Sequence, residues 1–169
     1  MKKFNVIKPE ALEINPFTMI GKDWFLVTAV RNGVCNTMTA SWGGLGIIWN
    51  KKVVYVLIRP QRYTNEFVDH ADTFSLSVLD NSYRKALNYL GTVSGRDEDK
   101  IKKSGLTTVM ENETAFFEEA HTVFLCKKLF AQNFTEASFI DRELIPKNYP
   151  AKDFHILYIA EIEKLLVKD

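Results

Sequence analysis

Trp24-Phe25-Leu26-Val27-Thr28-Ala29-Val30-Arg31-Asn32-Gly33-Val34-Cys35-Asn36-Thr37-Met38-Thr39-Ala40-Ser41-Trp42 holds two strand-like runs around an Asn-Gly pair. Asn-Gly accepts the positive φ of a type I′ turn. The stretch therefore reads as a β-hairpin, with a buried strand over 24–30 and a returning strand over 34–41. The returning strand carries Thr37, Thr39 and Ser41 and runs into Trp42-Gly43-Gly44. Further along, Val53 to Arg59 is hydrophobic up to its last residue, as in a strand covered on both faces. It leads through Pro60-Gln61-Arg62-Tyr63 into a short helix from Thr64 to His70, with Thr64 as the expected N-cap. Hydroxyls, backbone N–H groups, guanidinium groups and a helix N-terminus are what hold a phosphomonoester. A flat aromatic beside them would cover a ring. Together the two stretches imply a planar ligand with a phosphate tail.

Outside these stretches, Thr73 to Leu79 alternates apolar and polar residues like a half-buried strand. Tyr83 to Leu90 reads as a helix ended by Gly91. Ser94-Gly95-Arg96-Asp97-Glu98-Asp99-Lys100 is a polar turn before a second short helix through Ser104, and Ser94 with Asp97 has the spacing of a capping box. Residues 120–131 and 154–167 read as long late strands. Phe139-Ile140 with Leu144-Ile145 reads either as a further strand or as a loop. Residues 1–22 form an irregular arm with a helical turn near Pro16 to Ile20, and residues 42–50 a glycine-rich connection. Strands outnumber the short helices and no βαβ alternation appears. A mainly β fold, a Greek-key-like antiparallel barrel with a few short helices, is expected rather than a doubly wound sheet.

The 169 residues show no repeat or linker, so one domain over 1–169 is expected. Hydrophobic residues make up 46% and charged residues 25%, the balance of an ordinary globular protein. A net charge of +1 gives no global drive toward nucleic acid or an anionic membrane. The apolar run from Val53 to Ile58 is too short to span a bilayer, and Asn5, Lys8 and Glu10 interrupt any signal-peptide core. Cys35 and Cys126 lie far apart with no CxxC, which leads to the expectation of a cytoplasmic, disulfide-free protein. His70, His121 and His155 have no metal-ligand spacing, so no metal site is expected.

Four segments occur in order: Asn36-Thr37-Met38-Thr39-Ala40-Ser41-Trp42, Arg59-Pro60-Gln61-Arg62-Tyr63-Thr64, Ser94 to Lys100, and the closing strand Phe154-His155-Ile156-Leu157-Tyr158-Ile159-Ala160-Glu161-Ile162. In that order they resemble the flavin reductase-like proteins, most closely the flavoredoxin-like branch, over roughly residues 15–165. The resemblance implies an FMN-binding split β-barrel, with non-covalent FMN at a homodimer interface. The ring would lie against the 38–42 segment, Met38, Thr39, Ala40, Ser41 and Trp42, with Asn36 and Thr37 also among the cofactor-binding residues. The phosphate would be held from Arg59, Arg62, Tyr63, Thr64, Ser94, Gly95 and Lys100. It also implies a reductase or an electron carrier whose electron partner is a nicotinamide nucleotide, NADH or NADPH, or a redox protein.

Each residue has a plainer reading beside the functional one. Thr39 and Ser41, aided by the N–H groups of Met38 and Ala40, would bond ring carbonyls, or are ordinary strand hydroxyls. Trp42 would cover the ring or a neighbouring subunit, or is a core tryptophan with a satisfied indole. Arg59 and Arg62 are the strongest phosphate candidates, against a surface ion pair. Lys100 would fold back onto the anion, Ser94 would bond it or cap a helix, and Arg96 reads as a surface charge. Cys35 and His155 are the weak catalytic candidates. A free thiol is commonly a small buried hydrophobe, and Cys35 has no basic sequence neighbour. His155 would relay a proton or serve as a structural histidine.

No Ser/His/Asp triad or catalytic carboxylate pair stands out, as expected where the flavin itself takes a hydride at N5 and passes electrons on. No GxGxxG occurs, so a nicotinamide would have no Rossmann site. The reading is an FMN-dependent oxidoreductase of the NAD(P)H:flavin or ferric reductase type. The alternatives are a pure FMN electron carrier, a pyridoxamine-phosphate-oxidase-like enzyme and a heme-binding barrel.

Overall fold

The structure is a computed structural model in which residues 3–168 are described. Its strands are β1 (Phe4–Ile7), β2 (Phe25–Arg31), β3 (Val34–Ala40), β4 (Gly43–Ile48), β5 (Lys51–Ile58), β6 (Thr73–Leu79), β7 (Thr108–Glu111), β8 (Thr114–Phe117), β9 (Ala120–Asn133) and β10 (Ile156–Lys168). The helices are short: α1 (Pro16–Thr18), α2 (Tyr63–His70), α3 (Arg84–Thr92), α4 (Lys100–Ser104) and α5 (Leu144–Asn148).

Strand pairing in the main sheet is antiparallel, in the order β3-β2-β6-β9-β10-β5-β4, with β1 added to β10. β10 is shared along its length. One edge pairs with β9, while the other pairs first with β5 (Ile156↔Ile58 to Glu161↔Val53) and then with β1 (Leu165↔Ile7 to Lys168↔Phe4). Register shifts at Ile159/Ala160 and Ile162/Lys164 bend it between its two partners. The sheet curls until edge strand β3 touches β5 without pairing to it, which leaves the barrel split along that line.

The hairpin that opens the sequence reading forms as expected, from Phe25↔Ala40 to Arg31↔Val34, with Asn32 at φ 51° and Gly33 at φ 74°. Phe25, Val27, Met38, Val54, Val56, Phe74, Leu76, Phe124 and Tyr158 fill the barrel. Leu26, Leu87, Leu90, Phe116, Phe117 and Val123 build a second core between the sheet and the covering α3 and β7–β8. That second layer changes the expectation for β6. Its alternating polar residues are buried too, and Ser75 donates to the Ala115 carbonyl at 2.5 Å. Burial on this scale, at about 25 cal/mol per Å² of apolar surface, is the main favourable term in folding.

Other boundaries shift for identifiable reasons. Residues 43–48 form β4 rather than a connection, and the arm contributes β1. α3 runs through Gly91 and stops at Thr92. Residues 139–145 supply no strand but a turn and the start of α5, with Phe139 packed on Phe134, Tyr149 and Phe154. Among the described residues no helix is long and apolar enough to cross a membrane.

Two of the β4 glycines, Gly43 and Gly44, are dictated by Tyr55 on the neighbouring strand. A Cβ on Gly43, at φ 158°, would sit 2.3 Å from the Tyr55 carbonyl oxygen. Since the obstacle is backbone, Gly43→Ala is expected to cost about 2 kcal/mol or more, read from denaturant midpoints. Gly46→Ala, where a Cβ meets nothing within 4 Å, should stay within about 0.5 kcal/mol of the parent.

Candidate functional site

The split between β3 and β5 opens into a groove. Its narrower end, about 170 Å³, is lined by Met38, Thr39, Ala40, Ser41 and Trp42 together with Leu57, Arg59, Arg62 and His155. A wider part of about 450 Å³ shares Met38, Arg59 and Arg62 and adds Tyr63, Thr64, Ser94 and Lys100 among others. The first and second sequence segments therefore meet here across the barrel split, and the third closes the far side.

At the narrow end, β3 is an edge strand, so alternate backbone groups face away from β2 with no sheet partner. Met38 and Ala40 are buried at 6% and 7% exposure. Thr39 is not a free donor, because its hydroxyl is committed to the Leu87 carbonyl of α3 at 2.5 Å. The Ser41 hydroxyl makes no hydrogen bond among the described residues. Trp42 is not a core residue. It is 44% exposed and leans on His155, with ring centroids 4.9 Å apart. His155 is buried, and its Nδ1 lies 2.8 Å from the Tyr149 hydroxyl. Burial, then the charge of Arg59, pulls its pKa down to about 4, with Asp153 opposing and Arg62 adding to the effect.

At the wide end the cations differ in kind. Arg59 forms an ion pair with Asp153 and donates to the Asn148 carbonyl at 2.8 Å, so its charge is largely compensated. Hydrogen bonds from Gln61 and Arg59 hold the Asp153 carboxyl below the usual carboxylate range. Arg59 thus also braces β5 against the loop before β10. Arg62 donates to the Gly91 carbonyl at 2.7 Å. Lys100, only 4% exposed, donates to the Leu90 and Val93 carbonyls, each at 2.9 Å. Neither Arg62 nor Lys100 has a carboxylate partner among the described residues. Burial, then the nearby Arg62 charge, lowers the Lys100 pKa to about 8.

Three cap and loop readings are corrected. Arg62 occupies the N-cap position of α2, and Thr64 lies inside the helix with its hydroxyl accepting from Asn36 Nδ2 at 3.0 Å. Ser94 accepts from the Arg96 N–H within a turn, while Asp99, accepting from the Lys102 N–H, caps α4. Gly95 does not line the groove. A Cβ there would lie 2.4 Å from Asn36 Oδ1, so glycine is needed for the close approach to the Asn36–Thr64 pair.

Asn36 and Thr37 also stand behind the groove. Thr37 is fully buried, bonded to Thr28 Oγ1 at 2.8 Å and donating to the Val27 carbonyl. Cys35 faces a neighbouring hollow of about 600 Å³ that shares Tyr63 and Lys100 with the groove, and burial pushes its thiol up to about 12. Arg96 is more than a surface charge. It lines the groove, pairs with Glu66 and lies 4.6 Å over the Tyr63 ring. Asp153 and Tyr149 escaped sequence reading because they come from a distant loop with no local pattern.

No curated protein matches the chain in sequence. Solved structures are similar in fold. The FMN-binding domain of a flavin reductase-like enzyme from Shewanella baltica OS155 aligns with TM-score 0.72 at 16% identity, covering 98% of this chain and 78% of that one. Flavoredoxin of Desulfovibrio vulgaris (Miyazaki F) gives 0.67 at 23% identity, over 99% and 76%. The NADH:FAD oxidoreductase of Streptomyces globisporus C-1027, in complex with NAD and FAD fragments, gives 0.65 at 14% identity, over 87% and 77%. Residues 20–169 match the family model described as the flavin reductase-like domain, and the chain belongs to that family.

Proposed function

We propose that the chain is a single-domain oxidoreductase that binds FMN non-covalently in this groove, ring at the narrow end and phosphate at the wide end. Family membership supports flavin redox chemistry. The observation that carries the FMN assignment is the pair Arg62 and Lys100, two cations with no carboxylate partner at the wide end of a groove. Lys100 is buried and Arg62 half-buried, so their like charges repel with little screening, and a phosphate dianion between them would relieve that. The ammonium of Lys100 has three donors, two of which serve carbonyls, leaving one for a ligand. The N–H groups of the first turn of α2, at Tyr63 and Thr64, add dipolar attraction for an anion.

When bound, the flavin would supply hydride and electron transfer. The protein's part is to hold the ring between edge strand β3 and the Trp42–His155 pair and to neutralise the phosphate. A nicotinamide nucleotide or a redox protein is the proposed electron partner. An absorption spectrum after incubation with FMN and desalting tests the reading. Retained flavin bands are expected, with bleaching by NADH or NADPH under anaerobic conditions marking a reductase. A colourless protein would overturn it.

The two ends of the groove separate in mutants. Arg62→Ala and Lys100→Met are expected to weaken FMN by about 1.5–3 kcal/mol, roughly 10- to 150-fold, and riboflavin far less, in fluorescence titrations. Only the ammonium form of Lys100 attracts phosphate, so the preference for FMN over riboflavin should fall as pH rises above about 8. In Lys100→Met that fall should be absent.

A homodimer is part of the proposal. β9 runs past β6, and among the described residues no strand pairs with the outer edge of 129–133. Beside that edge Trp49, 57% exposed, sits 6.1 Å from Phe130, itself 37% exposed. An uncovered edge with apolar rings beside it is a surface for a second chain. Phe130→Glu is expected to shift the protein to monomer in analytical ultracentrifugation.

A further inference from the structure

Tyr149 and His155 form a buried pair at the narrow end of the groove, and the flavin reading does not use the hydrogen bond between them. Tyr149 is 3% exposed and His155 8%. The phenol oxygen and His155 Nδ1 are 2.8 Å apart, and this is the one hydrogen bond of the Tyr149 hydroxyl among the described residues. Two arrangements satisfy that distance. Either the phenol donates to a bare Nδ1, which puts the imidazole proton on Nε2, or Nδ1–H donates to the phenol oxygen. The second arrangement leaves the phenol proton without a partner in a buried place, an unfavourable state. The first satisfies both groups.

The imidazole surroundings support a neutral ring. Burial disfavours the imidazolium most, the charge of Arg59 and then of Arg62 adds to it, and Asp153, engaged by Arg59 and Gln61, opposes them. Burial also raises the Tyr149 pKa, with Arg59 opposing, so the phenol keeps its proton. The ring is clamped mechanically as well. Trp42 leans on one side of it and Tyr149 meets it edge-on at 5.5 Å between centroids. Tyr149 is itself fixed by Phe139, Phe154 and the Arg59 guanidinium, 5.2 Å from its centroid. Nε2 makes no hydrogen bond among the described residues, and His155 lines the groove.

We propose that Tyr149 is a positioning residue, which holds His155 as the Nε2–H tautomer so that this N–H donates to a carbonyl or ring nitrogen of the bound heteroaromatic ligand. The inference rests on the flavin reading for the ligand's identity, but not for the tautomer. The tautomer of a histidine is set by the bond its other nitrogen makes. Tyr149 thereby acts on ligand recognition without itself lining the groove.

Two measurements test it. In the ligand-free protein, two-bond ¹H–¹⁵N spectra of labelled histidines should show His155 with a bare Nδ1 and a protonated Nε2. Tyr149→Phe keeps the ring packing, loses the phenol, and should give a mixture of tautomers. A protonated Nδ1 in the unaltered protein, or an unchanged tautomer in Tyr149→Phe, overturns the proposal. In titrations, Tyr149→Phe should weaken riboflavin and FMN by the same factor, roughly 3- to 10-fold for one neutral hydrogen bond. His155→Gln, which can present an amide N–H near the Nε2 position, should retain more affinity than His155→Leu. Unchanged flavin affinity in His155→Leu overturns the contact. If neither flavin binds the unaltered protein, the flavin reading and the ligand contact fall together, while the spectra alone decide the tautomer.

Discussion

β10 must satisfy the hydrogen bonds of two edges over thirteen residues, and no single neighbour does this on both sides. β9 covers one edge throughout. On the other, β5 serves the first half and β1 the second, and the bulges near Ile159 and Ile162 turn the strand from one to the other. A strand shared in this way forces the sheet to curl, because its partners cannot lie in one plane. The curl brings β3 against β5 without closing the ladder. The groove is therefore a product of backbone pairing, and its walls are the two strand ends that the curl leaves facing each other.

Within that groove the charges are set by a second backbone requirement. The last carbonyls of α3 lack helical donors, and Arg62 and Lys100 supply them. Carbonyls hold the two side chains in place but do not cancel their charge, whereas the carboxylate on Arg59 does. Three basic residues that look equivalent along the chain thus become one compensated brace and two uncompensated cations. The difference lies in Asp153, which approaches from a loop some ninety residues away in sequence.

Legibility in the sequence follows the range of the interactions. The hairpin around Asn32-Gly33 was readable because turn chemistry and alternation are local signals. β5 and the two late strands were readable from their apolar content. β4 was not, since Gly43, Gly44 and Gly46 carry no pattern, and the presence of Gly43 and Gly44 answers to Tyr55 on the next strand. The burial of both faces of β6 was hidden because its cover comes from β7–β8 and α3. At the site, the 38–42 and 59–62 segments were singled out by residue type, and Lys100 through the family resemblance, and the structure brings them to one groove. Which of their polar groups are already engaged was not, because the partners are carbonyls of α3 and a carboxylate from a remote loop.

The titratable groups around the groove point to one kind of work. The Cys35 thiol is pushed up to about 12 and stays protonated, so it offers no thiolate nucleophile. His155 is held neutral by burial and by the cations beside it, and Tyr149 keeps its phenol proton. Asp153 is tied up by Arg59 and Gln61. A site that needed a side chain to attack or to shuttle protons near neutral pH would tune at least one of these groups toward 7. Here burial and charge move these four groups the other way, and the one group brought toward 7, Lys100 at about 8, is an ammonium held by two carbonyls. Such groups bind and orient, which is sufficient when the reactive atoms belong to the ligand.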